Sequence, residues 1–244
     1  MRIKKWENLP PEFQIEEIKP YYELLRKKQV SLFFKRVFDI VVSFILLSIF
    51  LPIFILLAIA IKIDSRGPVF FRQTRVTQYG KEFRIFKFRT MVQDAEKKGA
   101  QVTQKGDARI TRVGKLIRKC RLDEVSQLID VFRGKMTFVG TRPEVPKYVD
   151  GYQKEMLATL LLPAGITSET SIYFKDEDEL MAGAENPDEK YLNDVLPIKM
   201  KYNLQAIKKF GFFHDIKVMF MTVFAVLGKE YKPKGVDNGE NQKG

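Results

Sequence analysis

The chain is almost without cysteine and histidine, with one of each in 244 residues. A single cysteine excludes a disulfide scaffold, and the pair together excludes zinc fingers and His-rich metal centres. A Ser-His-Asp triad would have to rest on His214 alone. One free thiol, Cys120, fits a reducing compartment. No P-loop glycine pattern, no dinucleotide-binding glycine pattern and no internal repeat is present. Charge is missing altogether from residues 40–61.

What is present is a core-forming composition, 45% hydrophobic with 30% charged, which excludes a wholly disordered chain. The net charge is +12, and it is concentrated. Residues 62–142 hold 20 Lys and Arg against 8 Asp and Glu, while the remainder nearly cancels. Such a block expects a polyanion: nucleic acid, an anionic membrane surface or a phosphorylated substrate.

The uncharged run 40–61 is 22 residues long. At about 1.5 Å per residue it is long enough for a hydrocarbon core of ~30 Å. It lies some forty residues in, behind a charged amphipathic stretch and without a small-residue cleavage site, so it is not read as a secretory signal. Pro52 lies near its middle, where it removes a backbone hydrogen bond. Basic residues flank both sides, Lys35 and Arg36 before it and Lys62 and Arg66 after it. A spanning helix should show basic charge on one side only. A helix–break–helix that returns to the same face therefore fits better than a span, and Asp39 at the entrance is easier to accommodate near an interface than at depth. A second apolar stretch, 218–227, is too short to span. It reads either as an interfacial amphipathic helix or as a core helix. The stretch 13–30 also has helical character and could lie on a membrane surface.

Residues 69–75 and 82–88 are aromatic-rich runs around Gln78-Tyr79-Gly80-Lys81, the pattern of a β-hairpin turning at Gly80. Residues 94–105 read as a polar loop or frayed helix, and 112–119 as a short basic helix. Asp123 reads as the N-cap of a helix that Gly134 ends. Residues 138–143 are turn-rich, 144 onward is helical, and Pro163 and Gly165 break the chain. An acidic segment at 176–184 and a long amphipathic helix over 191–210 follow, and the Gly- and Asn-rich tail from 232 reads as disordered.

Asp123 and Glu124 are adjacent within the basic block. Neighbours on a helix point about 100° apart, so they cannot share a proton as a dyad does. They suit two separate tasks, one carboxylate attacking and the other holding a metal. Arg118 and Arg121 are close in sequence, and Lys87, Arg89 and Arg142 could converge from the hairpin and the turn. Carboxylates, arginines and a helix start are the parts of a phosphoryl-transfer site using a divalent ion. On the residues alone, a capping Asp123 with a Glu124 that only faces the helix dipole is the more economical reading. His214 reads as a surface or capping residue, and Cys120 as packing, since no nearby base would activate its thiol.

The chain resembles the bacterial sugar transferases, the small monotopic phosphoglycosyl transferases that start glycan assembly on polyprenyl phosphate. The resemblance runs from about 34 to 227. It is carried by Lys35-Arg36-Val37-Phe38-Asp39-Ile40 with Pro52, by Pro68-Val69-Phe70-Phe71-Arg72-Gln73 and Phe86-Lys87-Phe88-Arg89-Thr90-Met91, by Leu122-Asp123-Glu124-Val125-Ser126-Gln127-Leu128, and by Phe138-Val139-Gly140-Thr141-Arg142-Pro143. It implies that Asp123 is a nucleophile toward the β-phosphate of a UDP-sugar, releasing UMP, and that polyprenyl phosphate then takes the phosphosugar. It further implies that Glu124 holds Mg²⁺, that Arg118 and Arg142 bind phosphate with Lys87 assisting, and that Pro143 lines the nucleotide site. Arg89 and Arg121 join this substrate-binding set as basic neighbours. The chain departs from the family pattern at Leu51, where a serine is common, at Thr141, where a proline is usual, and across 163–171, which only partly matches a segment that would shape sugar recognition.

The fold implied is α+β and mostly helical: a monotopic membrane protein with a re-entrant helix–break–helix, a small β-hairpin and amphipathic interfacial helices. Its parts are an N-terminal interfacial region (1–33), the re-entrant helix (34–66), a cytosolic catalytic domain (67–231) and a disordered tail (232–244). The implied setting is the cytoplasmic face of a bacterial inner membrane, with UDP-sugar, polyprenyl phosphate, the lipid bilayer and possible downstream glycosyltransferases as partners. Two competing readings are an inactive scaffold that binds UDP-sugar or lipid phosphate, which the intact Asp123-Glu124 pair opposes, and a membrane-tethered nucleic-acid binder. Nucleic acid suits the basic block poorly, since carboxylates sit at its centre.

Overall fold

The computed structural model describes residues 1–95, 107–175 and 186–231. The loop read at 94–105 lies mostly outside the described residues, and the acidic segment at 176–184 and the tail from 232 lie wholly outside them.

The N-terminal stretch makes two short 3-10 turns and then α1, Lys19–Lys27. Ile3, Leu9, Phe13, Ile18, Tyr21 and Leu25 are buried together with Leu160, Leu161, Leu204 and Ile207. The sequence suggests an interfacial segment here. In the structure these apolar residues pack inward on the rest of the chain, where burial against apolar protein surface satisfies the same hydrophobic demand.

The next helix, α2, runs for 36 residues from Gln29 to Asp64 and is long and apolar enough to cross a membrane. One stripe of it faces protein: Leu32, Lys35, Asp39, Ser43 and Ile61 are buried, and Leu46, Phe50, Phe54 and Leu57 pack partly between them. The intervals of three and four follow the 3.6-residue period. The opposite face exposes Phe33, Val37, Ile40, Phe44, Ile55 and Ile59. Where the sequence suggests a break at Pro52, the backbone stays helical through it. Pro52 lies on the exposed face, so its missing N–H falls away from the packed stripe, which passes without a change of phase.

Three charged residues near the start of α2 are absorbed by the fold. The Lys35 ammonium donates to Val139 O at 2.8 Å and to Asp215 Oδ2 at 2.5 Å. Asp39 accepts from the Thr137 hydroxyl at 2.7 Å and from Phe138 N at 3.2 Å. Arg36 donates to Val131 O at 2.8 Å and Phe132 O at 3.0 Å, a cation on the last carbonyls of a short helix. At the far end, Asp64 Oδ2 accepts from Val113 N at 2.9 Å. Both ends of α2 are therefore tied to one folded body.

The hairpin forms as two short antiparallel ladders in a single register. β1 (Phe70–Phe71) pairs with β4 (Lys87–Phe88), and β2 (Thr74–Val76) pairs with β3 (Glu82–Arg84). Its turn needs positive φ at two residues, 58° at Tyr79 and 69° at Gly80. Helix α3, Arg112–Lys119, is N-capped by the Thr111 hydroxyl, which accepts from Gly114 N at 3.0 Å. Gly114 lets α3 approach the strand end closely, since a Cβ there would lie 2.0 Å from Thr90 O.

Asp123 is not an N-cap. Arg121, at φ 54°, holds that place, and a 3-10 turn, Leu122–Gln127, leads into α4, Leu128–Phe132. Gly134, with φ +76°, follows the end of α4. The segment around Pro163 and Gly165 does more than break the chain. β5 (Met136–Val139) and β6 (Ala164–Thr167) form a parallel pair, and a Cβ on Gly165 would meet Gly140 N at 2.2 Å. The helical reading from 144 is limited to α5, Pro146–Val149. After α6 (Glu169–Tyr173) and α7 (Pro187–Lys190), the long helix of the sequence reading is a π turn, Tyr191–Val195, continued by α8, Leu196–Lys208. Helix α9, Phe212–Val226, packs Val218 and Met219 inward and leaves Phe213, Phe220, Val223 and Phe224 exposed.

Candidate active site

The site grows from one feature of local sequence. Asp123, Ser126, Gln127 and Asp130 recur at intervals of three and four, and all four are buried. They form a polar stripe on the inward face of the 3-10 turn and α4. Two of its members hold Phe86 by its backbone: Asp130 Oδ2 accepts from Phe86 N at 2.7 Å, and the Ser126 hydroxyl donates to Phe86 O at 3.1 Å. The following residue, Lys87, is thereby delivered to the carboxylates. The roles of Ser126 and Asp130 are missing from the sequence reading, although polar residues at core spacing are the signal that would have shown them.

The Lys87 ammonium lies 3.0 Å from Asp123 Oδ2 and 3.4 Å from Glu124 Oε1. Arg142 grips Glu124 with both terminal nitrogens, one at 3.1 Å from Oε2 and the other against Oε1. Burial opposes ionisation of Glu124, but Arg142 and Lys87 outweigh it and hold the carboxyl well below the usual range. Two carboxylates facing two cations leave the site close to electroneutral.

The other basic candidates lie around this centre in different ways. Arg118 is half-buried and donates from Nε to Thr90 Oγ1 at 2.9 Å, beside the strand that carries Lys87. Arg89 is turned away from the carboxylates. It is buried and donates to Ser65 O at 2.7 Å and Ser65 Oγ at 3.0 Å, tying down the end of α2. A cation there meets carbonyls left unpaired at the helix C-terminus, which is a stronger local demand than a more distant anion. Arg121 is exposed and supplies the left-handed backbone that starts the turn. Pro143 is buried behind Arg142, its carbonyl receiving Arg75 at 3.2 Å. Pro52, the expected membrane break, lies on α2 outside this centre.

Among the described residues, no three His, Cys, Asp or Glu side chains converge on a metal position. Asp123 and Glu124 offer two carboxylates. That suits Mg²⁺ shared with substrate phosphates and water, and it does not make a cage of protein ligands. His214 is not isolated: its Nε2 lies 3.5 Å from Glu169 Oε1, and this pairing, with its hydrogen bond, lowers the Glu169 pKa. Cys120 is exposed rather than packed, since the last turn of α3 points it outward.

A buried carboxylate on Lys87, a second carboxylate clamped by Arg142, and Arg118 held at Thr90 beside the same strand bring both signs of charge together in one place. The chain belongs to the bacterial sugar transferase family, whose pattern matches residues 30–229. It is 35% identical over 201 residues to the UDP-N-acetylgalactosamine-undecaprenyl-phosphate N-acetylgalactosaminephosphotransferase of Aeromonas hydrophila, covering 80% of this chain and 44% of that one. It is 33% identical over 200 residues to the UDP-glucose:undecaprenyl-phosphate glucose-1-phosphate transferase of Escherichia coli (strain K12), covering 80% of this chain and 40% of that one. Against the protein of the same description in Caulobacter vibrioides the identity is 33% over 196 residues, covering 79% of this chain and 69% of the relative. The chain thus spans less than half the length of the first two.

Proposed function

We propose that this protein transfers a sugar-1-phosphate from a UDP-sugar to undecaprenyl phosphate at the cytoplasmic face of a bacterial inner membrane, starting the assembly of a glycan that later glycosyltransferases extend. The observation that carries the reading is Asp123 buried 3.0 Å from Lys87, with Glu124 locked beside it by Arg142. An Asp123 oxygen attacks the β-phosphorus of the donor. The bond from that phosphorus to the oxygen bridging it to the α-phosphorus breaks, and UMP leaves with the electron pair. A phosphate oxygen of the lipid then attacks the same phosphorus and displaces the Asp123 carboxylate, giving polyprenyl-diphospho-sugar.

Lys87, Arg118 and Arg142 neutralise charge on the donor phosphates. Glu124 would hold Mg²⁺ together with substrate phosphate oxygens and water. Mg²⁺ supplies charge neutralisation at the transferring phosphoryl group when bound. Pro143 shapes the backbone that carries Arg142. The exposed apolar faces of α2 and α9 enter one leaflet. With both ends of α2 tied to the same body, both ends stay on one side of the membrane and the helix lies in the near leaflet.

The reading is tested by incubating the protein in membranes with UDP-glucose and UDP-N-acetylgalactosamine, without lipid acceptor. UMP release at one equivalent and a phosphosugar adduct on the peptide containing Asp123 are expected. UMP release that requires the acceptor, with no adduct, would replace the covalent scheme by direct attack of the lipid phosphate. No release with either donor, with or without lipid, would leave the binding-scaffold reading.

A further inference from the structure

Away from the carboxylates, a cleft opens beside the strand ends. Its floor is the carboxyl end of the parallel β5–β6 pair. One wall is α8, and the other is the start of α6 and α9. Thr141, Ser168, Glu169, Asn203, Ala206 and His214 line it, among apolar neighbours. The carboxyl ends of parallel strands are where ligands enter α/β structures, because loops there diverge and leave a crevice.

Two observations point to a ligand with hydroxyl or amide groups. Asn203 is only 4% exposed, yet its amide nitrogen donates only to Met200 Sδ at 3.7 Å, a weak contact, and its side chain makes no other hydrogen bond among the described residues. Such a carboxamide on a cleft wall is costly unless something completes its hydrogen bonds. The cleft also begins at Thr141, the neighbour of Arg142, which grips Glu124. The backbone that carries Arg142 therefore runs along the edge of the cleft. The wall behind is rigid, since Ile207 and Phe210 also belong to the core built with Ile18 and Leu25 of the N-terminal stretch.

We infer that this cleft receives the sugar ring of the nucleotide donor and that Asn203 reads a ring substituent. The inference rests on the transferase reading above. Hydroxyl, carboxamide, imidazole and carboxylate groups above an apolar floor match a pyranose, which presents polar edges and an apolar face. A polyprenyl tail has no use for Asn203.

The test uses full-length protein in membranes and two variants. Asn203→Ala removes the carboxamide; Ala206→Leu fills the cleft without removing a hydrogen bond. In each, KM for the accepted UDP-sugar should rise about five- to tenfold, the scale of one lost neutral hydrogen bond or a crowded subsite. The inhibition constant of UMP and the KM for polyprenyl phosphate should stay within about twofold of wild type, inside the spread of untouched interactions. A matching loss of UMP affinity would give the cleft to the nucleotide, and a raised KM for the lipid would give it to the acceptor. Unchanged kinetics in Ala206→Leu would leave the cleft outside the reaction. Each of these overturns the inference while wild-type turnover keeps the transferase reading intact. A wild type inactive with every UDP-sugar overturns both.

Discussion

Asp123 and Glu124 are chain neighbours under different constraints. Asp123 is buried with one close cation, whereas Glu124 is clamped by two. Asp123→Asn is expected to lose essentially all turnover and to yield no phosphosugar adduct by mass spectrometry, because an amide cannot serve as the attacking oxygen. Glu124→Gln should lose turnover through weaker Mg²⁺ binding and recover part of it as Mg²⁺ is raised in a steady-state titration. The clamp also sets a pH response. A carboxyl whose pKa is lower folded than unfolded stabilises the fold fully above the unfolded value of about 4.3, and that contribution fades as pH falls toward the folded value. The difference in unfolding midpoint between wild type and Glu124→Gln should therefore hold steady from neutral pH to about pH 5 and narrow below about pH 4. A difference that widens on acidification would mean that Glu124 is not held ionised by Arg142 and Lys87.

At the scale of elements, the buried charges of α2 tie the helix to the strand that leads into Arg142. Lys35 holds Val139 O, and Asp39 holds Thr137 and Phe138, three to five residues before Arg142. Lys35→Met would leave Asp215 buried without its cation and is expected to cost about 3–5 kcal/mol in thermal unfolding, the usual penalty for breaking a buried pair. The double variant Lys35→Met with Asp215→Leu should recover much of that loss. The elements differ in how far the sequence shows them. The hairpin, with partners set by aromatic runs around a turn, and α3, a short basic run over 112–119, are local patterns and were legible. The parallel β5–β6 pair was not. Each strand is four residues long, with 24 residues between them, and its signal is a glycine contact between Gly140 and Gly165 that exists only after the chain has returned.

For the whole molecule, the arrangement predicts that α2 enters and leaves the membrane on one side. Single cysteines at Lys27 and Arg66, both exposed, in a Cys120→Ser background, are expected to react with an impermeant maleimide only from the cytoplasmic face of oriented vesicles. Labelling of the two positions from opposite faces would sink the re-entrant reading. The apolar surface is shared between α2 and α9, so membrane attachment should survive the loss of either contribution alone more readily than the loss of both.

The amino-acid sequence by itself determined what short-range chemistry controls: a charge-free run long enough for a bilayer, a concentrated basic block, and a pair of adjacent carboxylates. The tertiary structure decided what each charge faces. It assigned Arg89 to the end of α2 and Arg142 to Glu124, and it turned the N-terminal apolar face inward onto the core. It also brought Asn203 to a cleft beside Thr141, 62 positions earlier in the chain. Spacing along a chain fixes which residues share a face of one helix or strand. Which faces meet depends on how all of them bury their apolar area together, and that is settled only when the chain has packed.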